Sequence, residues 1–143
     1  MFRRGPNQQG SLNYNTNNFS INLFSSRLSI IDLDKRADQP FKSEDSVLIF
    51  NGEIYNFREL RRDLETSGYT FRGNSDTEVL LNLYLRDGSS MLSKLNGVFA
   101  FAIWDPRKKS VLLARDALGV KPLYYSKTDK GIVVSQNIFS FSE

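Results

Sequence analysis

Val47-Leu48-Ile49-Phe50-Asn51-Gly52-Glu53-Ile54-Tyr55-Asn56 is where the chain changes its period. The unbroken apolar run from Val47 to Phe50 has strand length, and such a run suits a strand buried on both faces. Asn51-Gly52 follows at once. Both positions tolerate positive φ, so the dipeptide favours a type I′ turn. Beyond Asn56 the apolar residues Phe57, Leu60 and Leu64 recur at helical spacing. Asn56 can cap that helix, with Glu59 in capping-box position, and Gly68 is a natural stop.

Toward the C-terminus a second helix opens at Ser75, with Glu78 completing another capping box. Val79, Leu80, Leu83 and Tyr84 form its apolar face, and Gly88 ends it. Met91, Leu92 and Leu95 suggest a short third helix. Strand patterns then return at Val98–Trp104, closed by the Asp105-Pro106 turn. They continue at Val111–Ala114, at Pro122–Tyr125, and at Ile132–Val134 after the Asp129-Lys130-Gly131 turn. Toward the N-terminus, Asp34 to Asp45 reads as a polar connection containing Gln39-Pro40. Leu28, Ile30, Ile31 and Leu33 suggest one strand, and Phe19, Ile21 and Leu23 another. Residues 1–18, rich in Asn, Gln, Gly and Ser, read as loop. Strands, then helices, then strands joined by short turns predict an α+β fold with antiparallel pairing in one domain.

The composition removes several chemistries. The 143 residues contain no Cys and no His, which excludes disulfides, thiolate or imidazole metal sites, Cys nucleophiles and His bases from these residues. No Asp-rich calcium loop is present. A net charge of +3 comes from short, scattered basic clusters, so solvated surface is preferred over a nucleic-acid stripe. No apolar run approaches the ~20 residues of a membrane span. The opening residues lack the apolar stretch of a signal peptide. A soluble, cytoplasmic protein is expected.

Four places could carry chemistry, and each has a plainer reading. Arg27, flanked by apolar residues, can hold a carboxylate bidentately, or it can be a surface Arg or a partner of Asp32. Asn51 and Gly52 can donate an amide and a backbone N–H to a developing oxyanion beside the charge of Glu53, or they can simply form a hairpin turn. Asp76 can hold an ammonium, or it can be a favourable acid in the first turn of its helix. The loop from Ala114 to Tyr125 is preferred as structural, held by an Arg115–Asp116 or Lys121–Asp116 pair. Together the groups suit a free amino acid with a side-chain amide: a guanidinium for the carboxylate, two acids for the ammonium, two donors for the carbonyl.

Arg27–Leu33, Val47–Leu60, Gly68–Leu80, Leu95–Asp105 and Ala114–Tyr125, in this order, resemble the class II glutamine amidotransferase domain of glutamine-hydrolysing asparagine synthetases. The resemblance runs from about Arg4 to about Ser135 and implies an N-terminal-nucleophile hydrolase-like sandwich of two antiparallel sheets with flanking helices. In that family an N-terminal Cys attacks the glutamine amide, with its own α-amine as base. The ammonia released serves a second, ATP- and Mg-using synthetase domain that amidates aspartate. Carried over, Arg27 binds the α-carboxylate of L-glutamine, and backbone groups near Ile30 and Ile31 position it. Asn51 and Gly52 form the oxyanion hole, and Glu53 and Asp76 hold the α-amine. No cofactor is implied within residues 1–143.

The sequence departs from the family in places. The opening Met-Cys-Gly has no counterpart. Arg3 and Asn7 stand where His and Asp are usual around Arg4-Gly5-Pro6, and Gln136 takes an acidic position. The resemblance therefore implies a partial domain over residues 1–143, lacking the Cys nucleophile and the synthetase domain, and inactive alone. A homodimer stays open. The alternative is a non-catalytic module, derived from that domain, that binds glutamine or a partner protein.

Overall fold

The computed structural model describes residues 8–15, 18–27 and 39–136, the side chains of residues 8, 9, 26 and 27 excepted. In chain order the elements are β1 (Gln8–Asn15), β2 (Ser20–Arg27), β3 (Phe41–Ser43), β4 (Ser46–Ile54), α1 (Phe57–Thr66), α2 (Asp76–Asp87), a 3-10 helix (Gly88–Lys94), β5 (Gly97–Asp105), β6 (Ser110–Arg115), β7 (Tyr124–Thr128) and β8 (Gly131–Ser135). The strands form an antiparallel β1–β2 ladder, a four-stranded sheet in the order β3-β4-β5-β6, and an antiparallel β7–β8 ladder. This is the α+β class with the antiparallel pairing expected.

The central sheet has two differently used faces, and the period of the strand explains both. Successive side chains point to opposite sides, so along β5 Phe99, Phe101 and Ile103 share one face. They pack with Leu48, Phe50 and Ile54 of β4, Leu60 and Leu64 of α1, and Val79, Leu80, Leu83 and Tyr84 of α2. Each large side chain buried this way contributes about 1.5–3 kcal/mol of transfer free energy. The alternate residues Ala100, Ala102 and Trp104 face the other way. There the rings of Tyr14 and Phe19 lie 5.5 and 5.7 Å from the Trp104 ring. The β1–β2 hairpin is further tied down by the Ser25 hydroxyl, which donates to the Gln39 carbonyl at 2.6 Å.

Several sequence expectations need correction. Asn51-Gly52 is not a turn: β4 runs through it, paired residue by residue from Val47–Trp104 to Ile54–Gly97. Gly52 does take a positive φ, +141°, but within a strand, and a Cβ there would overlap the Val98 carbonyl. Pairing along β5 overrides the local turn preference. Residues 8–15 are a strand rather than loop, because backbone pairing with β2 needs no apolar side chains. The polar connection contains β3. The amide of Asn56 caps nothing; its Nδ2 donates to the Lys94 carbonyl and its Oδ1 accepts from Asn96 N–H, at 2.9 and 3.0 Å. The third helix is of the 3-10 kind and stops before Leu95, and β7 begins at Tyr124 rather than Pro122. The strand expected across Leu28 to Leu33 lies outside the described residues. Among the described residues no helix is long and apolar enough to cross a membrane.

Candidate functional site

The outer edge of β4 is where the backbone becomes available. Strand β3 pairs only with Ser46, Val47 and Leu48. Across the sheet, Phe99 donates its N–H to Asp116 Oδ2 at 3.2 Å, and its carbonyl accepts from Asp116 N–H at 2.8 Å. Both polar groups of Phe99 therefore point toward β6. Its partner Gly52 is then in a non-hydrogen-bonded pair, with its own N–H and C=O turned away from β5.

The same alternation turns Phe50 and Ile54 outward, and both are satisfied. Phe50 N–H donates to Gln39 Oε1 at 2.8 Å, and Ile54 N–H donates to Asp76 Oδ2 at 3.1 Å. Gly52 N–H lies between these two covered groups. Strand β3 ends its pairing at Leu48, so among the described residues no strand pairs with Gly52 on this side. A backbone donor left open at a strand edge needs an acceptor from outside or from water.

Asn51 and Glu53, the alternate residues, stand on the sheet face opposite the helices. Asn51 Nδ2 donates to Gln136 Oε1 at 2.7 Å, joining the end of β8 to this strand. Asp76 is the first residue of α2 and is 5% exposed. Burial pushes its carboxyl above the usual range; N–H groups of Ile54, Thr77 and Asp76 itself pull the other way, and the nearby charge of Glu53 adds to the rise. Ser75 caps the helix by accepting Glu78 N–H at 3.3 Å.

The rest of that capping box is diverted. Glu78 instead accepts the N–H groups of Arg72 and Gly73, both at 2.9 Å, and so shapes the loop that delivers Asp76. Arg61 stacks 4.4 Å above the Phe71 ring and donates to the Gly73 carbonyl at 2.7 Å, holding the same loop from α1. The loop after β6 is also structural, as expected, but by another device than an ion pair. Asp116 accepts Val120 N–H at 2.9 Å and Lys121 N–H at 3.1 Å besides Phe99 N–H. Burial alone would raise its carboxyl; the N–H groups of Val120, Lys121, Phe99 and Leu118 outweigh that and hold it below the usual range.

The structure thus places Gly52 and Asp76 at one strand edge, with Asn51 and Glu53 flanking Gly52 on the adjoining sheet face. The side chain of Arg27, whose backbone ends β2, and the whole of Ile30 and Ile31 lie outside the described residues. Gln39 and Gln136 contribute without having been singled out for this site. A lone Gln carries no local signal of a long-range bond. Among the described residues, no three His, Cys, Asp or Glu side chains gather as a metal would require. The arrangement offers a donor slot for a carbonyl oxygen beside two acids that can hold a cation.

The glutamine amidotransferase domain family model matches residues 1–143. Asparagine synthetase (glutamine-hydrolyzing) 1 of Bacillus subtilis (strain 168) is 43% identical over 145 residues, covering 94% of this chain and 22% of that protein. Asparagine synthetase (glutamine-hydrolyzing) of Sandersonia aurantiaca is 48% identical over 104 residues, covering 71% of this chain and 19% of that protein. The chain therefore spans about a fifth of the length of these curated relatives. A solved glutamine phosphoribosylpyrophosphate amidotransferase from B. subtilis, complexed with ADP and GMP, superposes with a TM-score of 0.69 at 28% identity, over 82% of this chain and 28% of that one.

Proposed function

This chain belongs to the glutamine amidotransferase domain family, and from that membership we propose that its 143 residues are the glutamine-binding part of an enzyme of the asparagine synthetase kind. The observation that carries the reading is the open Gly52 N–H, flanked by Asn51 and held between two covered neighbours. Donors fixed before the reaction stabilise an oxyanion without reorganising as charge develops. The side-chain carbonyl of L-glutamine is the group we place there.

Glu53 and Asp76 hold the α-ammonium of the same ligand. Arg27 takes the α-carboxylate, and backbone groups at Ile30 and Ile31 complete the enclosure. With no thiol among these residues, their share of the reaction is recognition of glutamine and polarisation of its amide. Hydrolysis gives glutamate and ammonia. In the complete enzyme a synthetase domain uses ATP and Mg to activate a carboxylate acceptor for that ammonia, in the cytoplasm.

Isothermal titration of the chain tests the reading. L-glutamine should bind. Glutaramic acid, which keeps the amide and the far carboxylate but lacks the α-ammonium, should not. Asp76→Ala should abolish the glutamine signal while the far-ultraviolet circular dichroism stays unchanged. Equal binding of the two ligands, or no heat with glutamine, would overturn the assignment.

A further inference from the structure

Asn51 carries an amide that can rotate by half a turn at little steric cost, exchanging donor for acceptor. Only one of the two orientations is useful at a site for a carbonyl oxygen. Something must therefore choose. Asn51 itself is exposed, so packing does not select the orientation. Its backbone pairs with the buried Ala100 across β5, which fixes the strand but not the amide.

Gln136 is the side chain that faces this amide, and in the structure it does so with its carbonyl oxygen. Its Oε1 lies 2.7 Å from Asn51 Nδ2, a short bond by the standard of neutral amides. A carbonyl oxygen can only accept, so the Asn51 amide must present its NH2 to Gln136. An NH2 carries two hydrogens in one plane. With one committed to Gln136, the other has a set direction and remains available. Gln136 follows directly on β8, and the bond bridges residues 85 apart in sequence.

We propose that Gln136 is a positioning residue, which locks the Asn51 amide with its second N–H directed to the carbonyl oxygen of the ligand. This rests on the glutamine reading above and adds to it the residue that orients one of the two donors. The requirement at position 136 is an acceptor of the right reach. A carboxylate meets it as well as an amide does, since an ionised carboxylate accepts and cannot donate. An aliphatic side chain of similar size does not. The effect should fall only on ligands that possess a side-chain carbonyl.

Titration of the full chain with two ligands separates the possibilities. L-glutamine has the carbonyl; L-norvaline keeps the α-ammonium, the α-carboxylate and the same three side-chain carbons without it. Gln136→Leu should weaken glutamine about five-fold, the scale of one net hydrogen bond, and leave norvaline unchanged. Gln136→Glu should restore wild-type glutamine affinity at neutral pH. In the amide-proton spectrum of the unliganded protein, the Asn51 side-chain NH2 pair should be shifted in Gln136→Leu and recovered in Gln136→Glu. Unchanged glutamine affinity in Gln136→Leu overturns the proposal while leaving the glutamine reading intact. So does equal weakening of both ligands, which would mark Gln136 as merely structural. No glutamine binding by the wild-type chain would overturn the functional reading and this proposal with it.

Discussion

On one side of the four-stranded sheet, Leu48, Phe50, Ile54, Phe99, Phe101 and Ile103 meet the helices in an apolar core. On the other side, the same two strands present Asn51, Glu53, Ala100 and Trp104. Here the bonds are specific and few: Asn51 to Gln136, the Tyr14 and Phe19 rings against Trp104, and a Trp104 Nε1–H that finds no acceptor among the described residues. The difference shows how one strand can serve two ends. Its even residues are held by packing, which fixes the backbone of the odd ones. Gly52 falls on the packed side without a side chain. That absence admits the close approach of Val98 and Phe99 and leaves the glycine N–H at the open edge.

If the helix-facing side holds the fold, truncating it should produce the largest loss. Phe101 is 1% exposed, and Phe99 lies 5.6 Å from it ring to ring. Phe101→Ala should lower stability by about 3–5 kcal/mol, from lost transfer and the cavity left behind. Urea denaturation of the two proteins measures it. A loss under about 1 kcal/mol would mean that the division between faces has been misread.

Gly52→Ala probes the junction of the two faces and ranks next. An alanine there must give up the +141° backbone or collide with the Val98 carbonyl. Stability should fall by about 2–4 kcal/mol, and glutamine binding should vanish even at temperatures where the variant is folded. Retention of binding would show that the Gly52 N–H is not the donor.

How much of this was legible in the sequence divides along the same line. Periodicity located β4, both helices, β5 and β6, because apolar side chains at these positions are what the core consumes. It missed β1, whose mostly polar residues are held by backbone pairing, and β3, whose three residues are too few to show a period, and it placed a turn at Asn51-Gly52, where a distant strand decides the conformation. The two capping boxes looked alike on paper. Only Ser75 caps its helix, since Glu78 is drawn to Arg72 and Gly73 N–H, and Asn56 is drawn to Lys94 and Asn96. The residues Asn51, Gly52, Glu53 and Asp76 were legible by chemical type. Their supports, Gln39, Glu78 and Gln136, were not, because Gln39 and Gln136 each act through one bond, and Glu78 through two, to residues that local sequence does not indicate.

Asp76 sharpens the comparison by opposing stability to binding at a single residue. Its carboxyl is held above the usual value of 3.8, chiefly by burial. Such a group adds stability in full only below 3.8, and the contribution is lost as pH climbs through the raised value. At neutral pH the buried charge therefore weakens the fold. Asp76→Asn should be more stable than wild type at neutral pH, with the gap closing as pH falls to about 4. Asp105 and Asp116, whose carboxyls are held low, lose their contributions as pH falls, but equally in both proteins. Glutamine affinity should drop about ten-fold or more with the loss of a charge-assisted bond to the ammonium. Urea titrations at the two pH values would break the argument if the gap widened toward acid.

The smallest effect is expected at Trp104, on the sparsely bonded face. Its ring is 3% exposed and fills the space against Tyr14 and Phe19, yet its Nε1–H is buried without an acceptor among the described residues. An unpaired buried donor carries its full desolvation cost, so deleting it relieves a penalty at the same time as the smaller ring loses contacts. The two changes oppose each other. Trp104→Phe should alter stability by no more than about 1 kcal/mol, against the several lost on truncating Phe101 one face away. Glutamine binding should be unchanged, since Trp104 pairs with Val47, at the far end of β4 from Gly52. A loss of about 3 kcal/mol or more in Trp104→Phe would show that the Nε1–H is satisfied after all, because only a made hydrogen bond added to the packing would account for it.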